Sequence, residues 1–380
     1  MWRVSTQHND WTPQINRAEL VGNHRARIDS RWASSVRTCL ARYVGRPFAE
    51  KGPFDPDQTP RRSPPPARER SAAQAGGGCY DAPVSGEPHI RKVRPDELEE
   101  VWRVHVAASN DLLVRRGRPV ARPADAPVAS DARAGLASDP DGYFCAVEEG
   151  RIRGMVSALV RGRVWYLSMF FVLPGDQERG LGRALLERAL AYGEARGAEV
   201  RCVWSSLDPR AQARYVMAGM APRWPIYRLD ADAAAVARLK GRVGLDPPER
   251  ELPCDPGAAE KLTAEVFGHG RADDLAHWRS DASAAVAIER GGMLTAFAYR
   301  RGERIGPAAG RDETALLQAV AAAANAGGGG NVTVRVPGAC ASLLEALVGC
   351  GFRIGELAVF LASRPFGRPE LYLPSGPILY

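Results

Sequence analysis

The stretch Val172-Leu173-Pro174-Gly175-Asp176-Gln177-Glu178-Arg179-Gly180-Leu181-Gly182-Arg183, running on into Ala184-Leu185-Leu186, constrains this chain more than any other. It predicts an apolar strand stopped by a proline, a polar loop carrying glycines, and then a helix. Such a loop leaves backbone N–H groups unpaired at a helix start, where the positive end of the helix dipole also lies. That combination binds anions, and phosphates are its usual guests. Gly180 and Gly182 lack Cβ atoms, so a phosphate can come close to the backbone. Arg179 and Arg183 can add charge-assisted hydrogen bonds. The spacing is not that of a P-loop, because no Gly-Lys-Ser/Thr follows. It also lacks the third glycine and later acidic residue of a dinucleotide-binding turn.

The flanking sequence supplies a regular frame. His89-Ile90-Arg91-Lys92-Val93-Arg94 alternates as a strand does. Pro95-Asp96-Glu97 then opens a helix with acidic residues in its first turn, which we read as reaching about Ala108. A second helix is expected over 130–137. Strands follow at 142–148, 151–160 and 164–173, joined at Glu149-Gly150 and Arg161-Gly162. The helix over 182–196 has its apolar face at Leu181, Ala184, Leu185, Ala189 and Tyr192. A strand at 199–205, a helix at 209–218 and a strand at 223–229 complete the order β-α-α-β-β-β-α-β-α-β. That order implies an α/β fold (a mixed α+β sheet) with helices on both faces.

The V-x-P-x-x-Q-x-x-G-x-G spacing of 172–182 resembles the acetyl-CoA loop of the GNAT N-acetyltransferase superfamily. A second motif agrees with it. Asp208-Pro209-Arg210-Ala211-Gln212-Ala213-Arg214-Tyr215-Val216-Met217-Ala218-Gly219-Met220 resembles the family's N-x-x-A-x-x-L-Y-x-x-x-G-F helix, with Asp208, Arg214 and Met220 as departures. The resemblance implies that acetyl-CoA is bound by Phe170, Phe171 and Val172 of the strand, by Gln177, Glu178, Arg179, Gly180, Leu181, Gly182 and Arg183 of the loop, and by Asp208. It implies that Tyr215 is the acid that protonates the departing thiolate, and that the acceptor is a small-molecule amine. A backbone N–H near Val172 would stabilise the oxyanion, and the strands at 164–173 and 199–205 would splay to admit the thioester. The general base stays open between a water chain, Asp208 and Glu303. A coenzyme-binding regulatory module and an acetyltransferase acting on protein N-termini or lysines are the alternatives.

The C-terminal half repeats the plan without the chemistry. Ala287-Ile288-Glu289-Arg290-Gly291 followed by Met293-Leu294-Thr295-Ala296 echoes Ala146-Val147-Glu148-Glu149-Gly150 followed by Met155-Val156-Ser157-Ala158. Residues 332–336 form a strand, and 340–349 a helix ending at Gly351-Phe352. An internal duplication explains this, and the second copy resembles the degenerate modules of tandem acetyltransferases. After Ile305-Gly306-Pro307 its loop has no Q-x-x-G-x-G, and it puts Asp312 and Glu313 where a phosphate would sit. Leu347 falls at the tyrosine position. The glycines at 327–330 are expected to form a flexible loop. The expected division is an extension over 1–86, a catalytic domain over 87–230, a linker over 231–249 and the degenerate domain over 250–380.

Composition narrows the remaining classes. The net charge of +7 invites a nucleic-acid reading, but residues 1–90 hold 13 Lys and Arg against 9 Asp and Glu, and the remainder holds 38 against 35. Beyond the extension the chain is nearly balanced, so we expect a mixed solvated surface and no nucleic-acid partner. No apolar run reaches the ~20 residues of a membrane helix, and no signal peptide is evident. The seven cysteines are scattered and form no Cys-x-x-Cys, and His269 and His277 sit too far from any two cysteines to suggest zinc. We therefore expect no structural disulfide, no metal and a reducing, cytoplasmic setting. Arg61-Arg62-Ser63-Pro64-Pro65-Pro66 and Ala75-Gly76-Gly77-Gly78 make the extension linker-like and disordered. No methionine lies between Met1 and Met155, so a native start nearer the domain would use a non-AUG codon, for example at Val84. Oligomeric state is not legible.

Overall fold

The structure is a computed structural model that describes residues 88–243, 255–326 and 330–380. The extension, residues 244–254 and the glycines at 327–329 lie outside the described residues, as do Cys39, Cys79 and Cys254. β1 (His89–Lys92) pairs antiparallel with β2 (Tyr143–Glu148). β2, β3 (Arg151–Arg161) and β4 (Val164–Val172) form an antiparallel meander. Glu149 and Gly150, between β2 and β3, both carry positive φ, as a two-residue hairpin turn requires.

Helix α1 (Leu98–Arg115) runs two turns past the expected end. Asn110 and Asp111 do not break it, and an Asp111–Arg115 ion pair of 2.6 Å spans its last turn. It packs on β3 and β4, with α2 (Ser130–Ser138) beside it on the same face. The other face is covered by α3 (Leu181–Ala195), which buries Leu181, Leu185, Leu186, Ala189 and Tyr192. The contact is close because Gly193 faces Trp165: a Cβ there would lie 2.4 Å from the indole. The Trp165 indole N–H donates to the Ala189 carbonyl at 2.8 Å. β5 (Val200–Ser205), α4 (Pro209–Met217) and β6 (Ala221–Ala231) follow in the expected order.

Residues 233–243, expected within a linker, form a helix, α5 (Ala233–Val243), with Ala235, Val236 and Leu239 buried. The second half then runs α6 (Pro256–Phe267), α7 (Ala272–Ser280), β7 (Ala284–Arg290), β8 (Met293–Arg301), β9 (Arg304–Gly310), α8 (Glu313–Asn325), β10 (Val332–Pro337), α9 (Ala341–Gly349) and β11 (Arg353–Ala362). A two-residue strand, β12 (Tyr372–Leu373), pairs with β9.

The two halves share one sheet, in the order β1-β2-β3-β4-β5-β11-β6-β10-β9-β8-β7. Each half's last strand crosses over. β11 pairs with β5 (Phe360 opposite Trp204), β6 pairs with β10 (Arg228 opposite Arg335), and β6 and β11 pair with each other. The exchange satisfies the backbone of each half with a strand from the other. The described residues of 88–380 accordingly form one compact unit. A buried cluster on one face runs through both halves, from Tyr143, Met155 and Tyr166 to Trp278, Phe297 and Phe360. No described helix is long and apolar enough to cross a membrane.

Candidate active site

The site begins where two parallel strands part. β4 and β5 pair from Val164–Val200 to Leu167–Val203, and there the pairing stops. β4 continues to Val172 with a register shift at Ser168: Ser157 faces Met169 while Ala158 faces Leu167. This extra residue is a β-bulge, which bends and twists its strand. The edge of β4 beyond Ser168 is thus left without a neighbour, open to an extended ligand that hydrogen-bonds as a strand would.

The loop after β4 ends in an uncapped helix. No side chain caps α3, and its first turn holds no acidic residue. By contrast, Asp208 caps α4, Asp255 caps α6 and Asp312 caps α8. Gly180 sits at the N-cap with φ of 86°, a left-handed conformation that favours glycine. Gly182 faces the opening: a Cβ there would meet Phe170 at 3.4 Å, Arg214 at 3.7 Å and Val172 at 3.8 Å. With no side-chain cap and no acidic residue in its first turn, this helix start is the end of the fold where a helix dipole and free N–H groups favour an anion.

The expected site residues come together in three groups. Gln177 is a bridge: its side-chain amide donates to the Val172 carbonyl at 3.3 Å and accepts from Arg210 at 3.0 Å. Arg210 also holds Asp208, at 3.2 Å. Burial would raise the Asp208 pKa, but hydrogen bonds from Arg210 outweigh it and lower the value. Phe170 faces the α3 side and lies 6.4 Å from the Tyr215 ring, centroid to centroid. Phe171 faces the opposite side, 4.5 Å from His105. Leu181 is buried in the helix core, while Glu178 is exposed, with a φ of 73°.

The loop arginines are engaged. Arg179 is held by Glu148 at 2.5 Å and Asp176 at 2.6 Å, and so braces the loop. Arg183 pairs with Glu187 at 2.8 Å in an exposed i,i+4 contact. Arg214 has no hydrogen bond or ion pair among the described residues, and its guanidinium lies against Gly182. The sequence reading treated Arg214 only as a departure from a motif leucine. Its position one residue before Tyr215 was the signal that it borders the same opening.

Tyr215 is 6% exposed, and its hydroxyl makes no hydrogen bond to a described residue. Burial raises its pKa above 10, Asp208 raises it further and Arg214 opposes them, so the phenol is protonated at neutral pH. His105 was not foreseen. Burial and then Arg122 lower its pKa to about 3. Arg122 stands 3.0 Å from Nε2, and a guanidinium can only donate, so Nε2 accepts and Nδ1 carries the proton toward Ser109 Oγ at 3.3 Å. Glu303 lies exposed on the β8–β9 turn.

The corresponding elements of the second half are closed. The α8 N-terminus is filled by its own Asp312, which accepts from the Ala315 N–H at 2.7 Å. The edge of β9 at Ala308 and Ala309 is covered by β12. Leu347 is fully buried. Cys145, Cys202, Cys340 and Cys350 are buried and free. Asp131, His277 and Asp281 bring ligand-type atoms within 4.8 Å, but Arg301 already bonds both carboxylates, at 2.6 Å and 3.2 Å.

Residues 111–220 match the model of the acetyltransferase (GNAT) family, a span that contains the β4–α3 loop and α4. No curated protein matches the chain. A Pyrococcus horikoshii crystal structure described as a candidate acetyltransferase has a TM-score of 0.63 at 15% identity, covering 80% of this chain and 99% of that one. A GCN5-related N-acetyltransferase from Sphaerobacter thermophilus has a TM-score of 0.48 at 15% identity, covering 73% and 96%. A tandem GNAT protein from the clavulanic acid biosynthesis pathway has a TM-score of 0.48 at 17% identity, covering 73% and 99%. At these identities the first structure establishes a shared fold, and the family match spans the strand split and the uncapped helix that follows it. Residues 111–220 are thus similar to the acetyltransferase (GNAT) family, within a fold that the chain shares with the Pyrococcus horikoshii protein.

Proposed function

We propose that this chain transfers an acetyl group from acetyl-CoA to the amine of a small metabolite. One observation carries the reading: the β4–β5 split opens between an uncapped helix N-terminus and a buried, protonated tyrosine whose hydroxyl has no partner among the described residues. The residues present fit the coenzyme. The N–H groups of 177–182 and the unpaired Arg214 suit its diphosphate, and the free edge of β4 suits its extended arm. When bound, acetyl-CoA supplies an activated thioester to a nucleophilic amine.

In this reading the protein's own groups divide the work. A backbone N–H near Val172 would stabilise the carbonyl oxygen as it gains charge. Gln177, tied to both Val172 and Arg210, holds the loop against the start of α4. Tyr215 donates its proton to the departing sulfur. Residues 87–230 contribute the coenzyme site, and 250–380 contribute walls but no second site, because Asp312 and β12 occupy the equivalent positions. A purely regulatory coenzyme-binding module would not need an unbonded phenol at the split.

The test is thiol release from acetyl-CoA by the full chain across a panel of small amines, with calorimetry of coenzyme binding alongside. Amine-dependent release supports transfer. Coenzyme binding without release across amines, amino acids and a lysine peptide would overturn it in favour of the regulatory reading. Release with the peptide alone would overturn the small-metabolite acceptor.

A further inference from the structure

The sheet face opposite α3 carries cations that nothing described neutralises. Arg228 on β6 stands directly across from Arg335 on β10. Arg304 on β9 stands across from Thr333, two residues from Arg335 on the same face. Like charges so placed destabilise a sheet. Only Arg228 is answered, by Asp230 at 3.0 Å. Arg335 and Arg304 form no ion pair or hydrogen bond among the described residues, although both are half-buried. The acids nearest them are taken: Glu356 and Asp230 face Arg335 but lie against Arg118 and Arg228, while Asp131 and Asp281 face Arg304 but bind Arg301.

The patch adjoins the chemistry. The Arg335 guanidinium lies 5.9 Å over the ring of Trp204. Trp204 is the first β5 residue beyond the point where β4 pairing ends, so this cation stands at the mouth of the split. Ser168, the bulge residue of β4, donates to the Ile378 carbonyl at 2.6 Å, which brings the 374–380 segment along the same mouth. That segment reaches Arg304: a Cβ at Gly376 would lie 3.8 Å from its Nη1. Ser375 beside it is 2% exposed, with an Oγ that has no partner among the described residues. Burial, then Arg304 and Arg228, lower the Arg335 pKa to about 10, so an arriving anion relieves a cost already present.

We propose that Arg335 and Arg304 form the anion subsite of the acceptor pocket, and that the acceptor amine carries a carboxylate. The proposal rests on the acetyl-transfer reading and names its substrate class. A guanidinium at the mouth would hold the carboxylate while the neighbouring amine enters between β4 and β5.

The test compares amino acids with their own carboxamides in the thiol-release assay. An amide keeps the size, removes the negative charge and lowers the basicity of the amine, so intrinsic reactivity favours the amide. We expect the free acids to have at least tenfold higher kcat/KM. Arg335→Gln should lower kcat/KM for acids about tenfold, leave amides within about twofold and leave the melting temperature unchanged or raised, because it relieves a like-charge contact. Arg335→Lys should recover part of the loss, and Arg304→Gln should act in the same direction. Equal use of acids and amides, or equal loss of both in Arg335→Gln, overturns the proposal, as does a preference confined to an amine bearing a phosphate monoester. Calorimetric binding of the amino acids to the chain loaded with desulfo-coenzyme A reads the subsite without turnover. Acid binding lost in Arg335→Gln supports the subsite even where no thiol is released. Absence of acid binding overturns it.

Discussion

Tyr215→Phe removes one oxygen from the split and nothing else. The hydroxyl has no hydrogen-bond partner among the described residues, so its loss orphans no group, and stability should stay within about 0.5 kcal/mol of the parent. Coenzyme affinity should change by less than about twofold, because the loop N–H groups and the β4 edge are untouched. Turnover should fall. General acid catalysis is worth about 10²–10⁴-fold at most, and a leaving thiol with an unperturbed pKa of about 8.5 is already a fair leaving group. We therefore expect kcat at pH 7 to drop roughly 10- to 100-fold, about 1.4–2.7 kcal/mol of barrier. Burial raises the phenol's pKa above 10, so the donor is protonated throughout the assay range and Tyr215 should impose no falling limb on kcat below pH 10. Stopped-flow or continuous thiol detection over pH 6.5–10 measures both effects. An unchanged kcat refutes the role, and a falling limb below pH 10 that vanishes in Tyr215→Phe refutes the burial argument.

Three further outcomes follow. Arg214→Ala should weaken coenzyme binding about threefold to tenfold by calorimetry while leaving kcat nearly unchanged, because an exposed charge-assisted contact is worth about a kcal/mol; a kcat loss without an affinity loss would contradict it. Phe360→Ala, at a fully buried ring 4.6 Å from Tyr380 and 5.0 Å from Trp224, should cost about 3–5 kcal/mol and lower a single unfolding transition, since β11 is shared between the halves. Two separate transitions would contradict a single cooperative unit. The His105 pKa is depressed to about 3 by burial and then Arg122, so its contribution is present above the unfolded value of about 6.5 and lost as pH falls toward 3. Between pH 6.5 and 5 the parent should lose roughly 2 kcal/mol that His105→Phe does not lose, and parallel acid profiles would refute this.

The elements around the coenzyme loop were legible because each is set locally. Proline stops β4, two glycines shape the loop, and the 3.6-residue recurrence of Leu181, Leu185, Ala189 and Tyr192 marks α3. The α4 helix was legible because its start at Pro209 and its end before Gly219 are set by neighbouring residues, whereas Tyr215 and Asp208 were singled out by the resemblance of 208–220 to a family motif. Partner choice between strands is not. β6 mixes polar with apolar residues and β11 ends in an apolar run, but nothing local says that β11 should lie against Trp204 and β6 against Arg335. Asn110 and Asp111, weak helix formers, hid the extra turns of α1, and alanine-rich 233–243 resembled a tether until its apolar residues met a core. Arg335, Arg304 and His105 lacked signal for a related reason. An arginine on a strand reads as solvated surface, and only the exchanged sheet brings these cations onto one face beside the split.

The central claim is a single acyl-coenzyme site at the β4–α3 loop. Calorimetric titration of acetyl-CoA into the full chain tests it most directly, with Gly182→Asp as the control. That variant adds a Cβ where Phe170 already lies at 3.4 Å and puts a negative charge at the helix end meant for phosphate. The account predicts one coenzyme per chain for the parent, and no measurable binding for a Gly182→Asp protein that still melts cooperatively. Two coenzymes per chain, or binding undisturbed by Gly182→Asp, would contradict it.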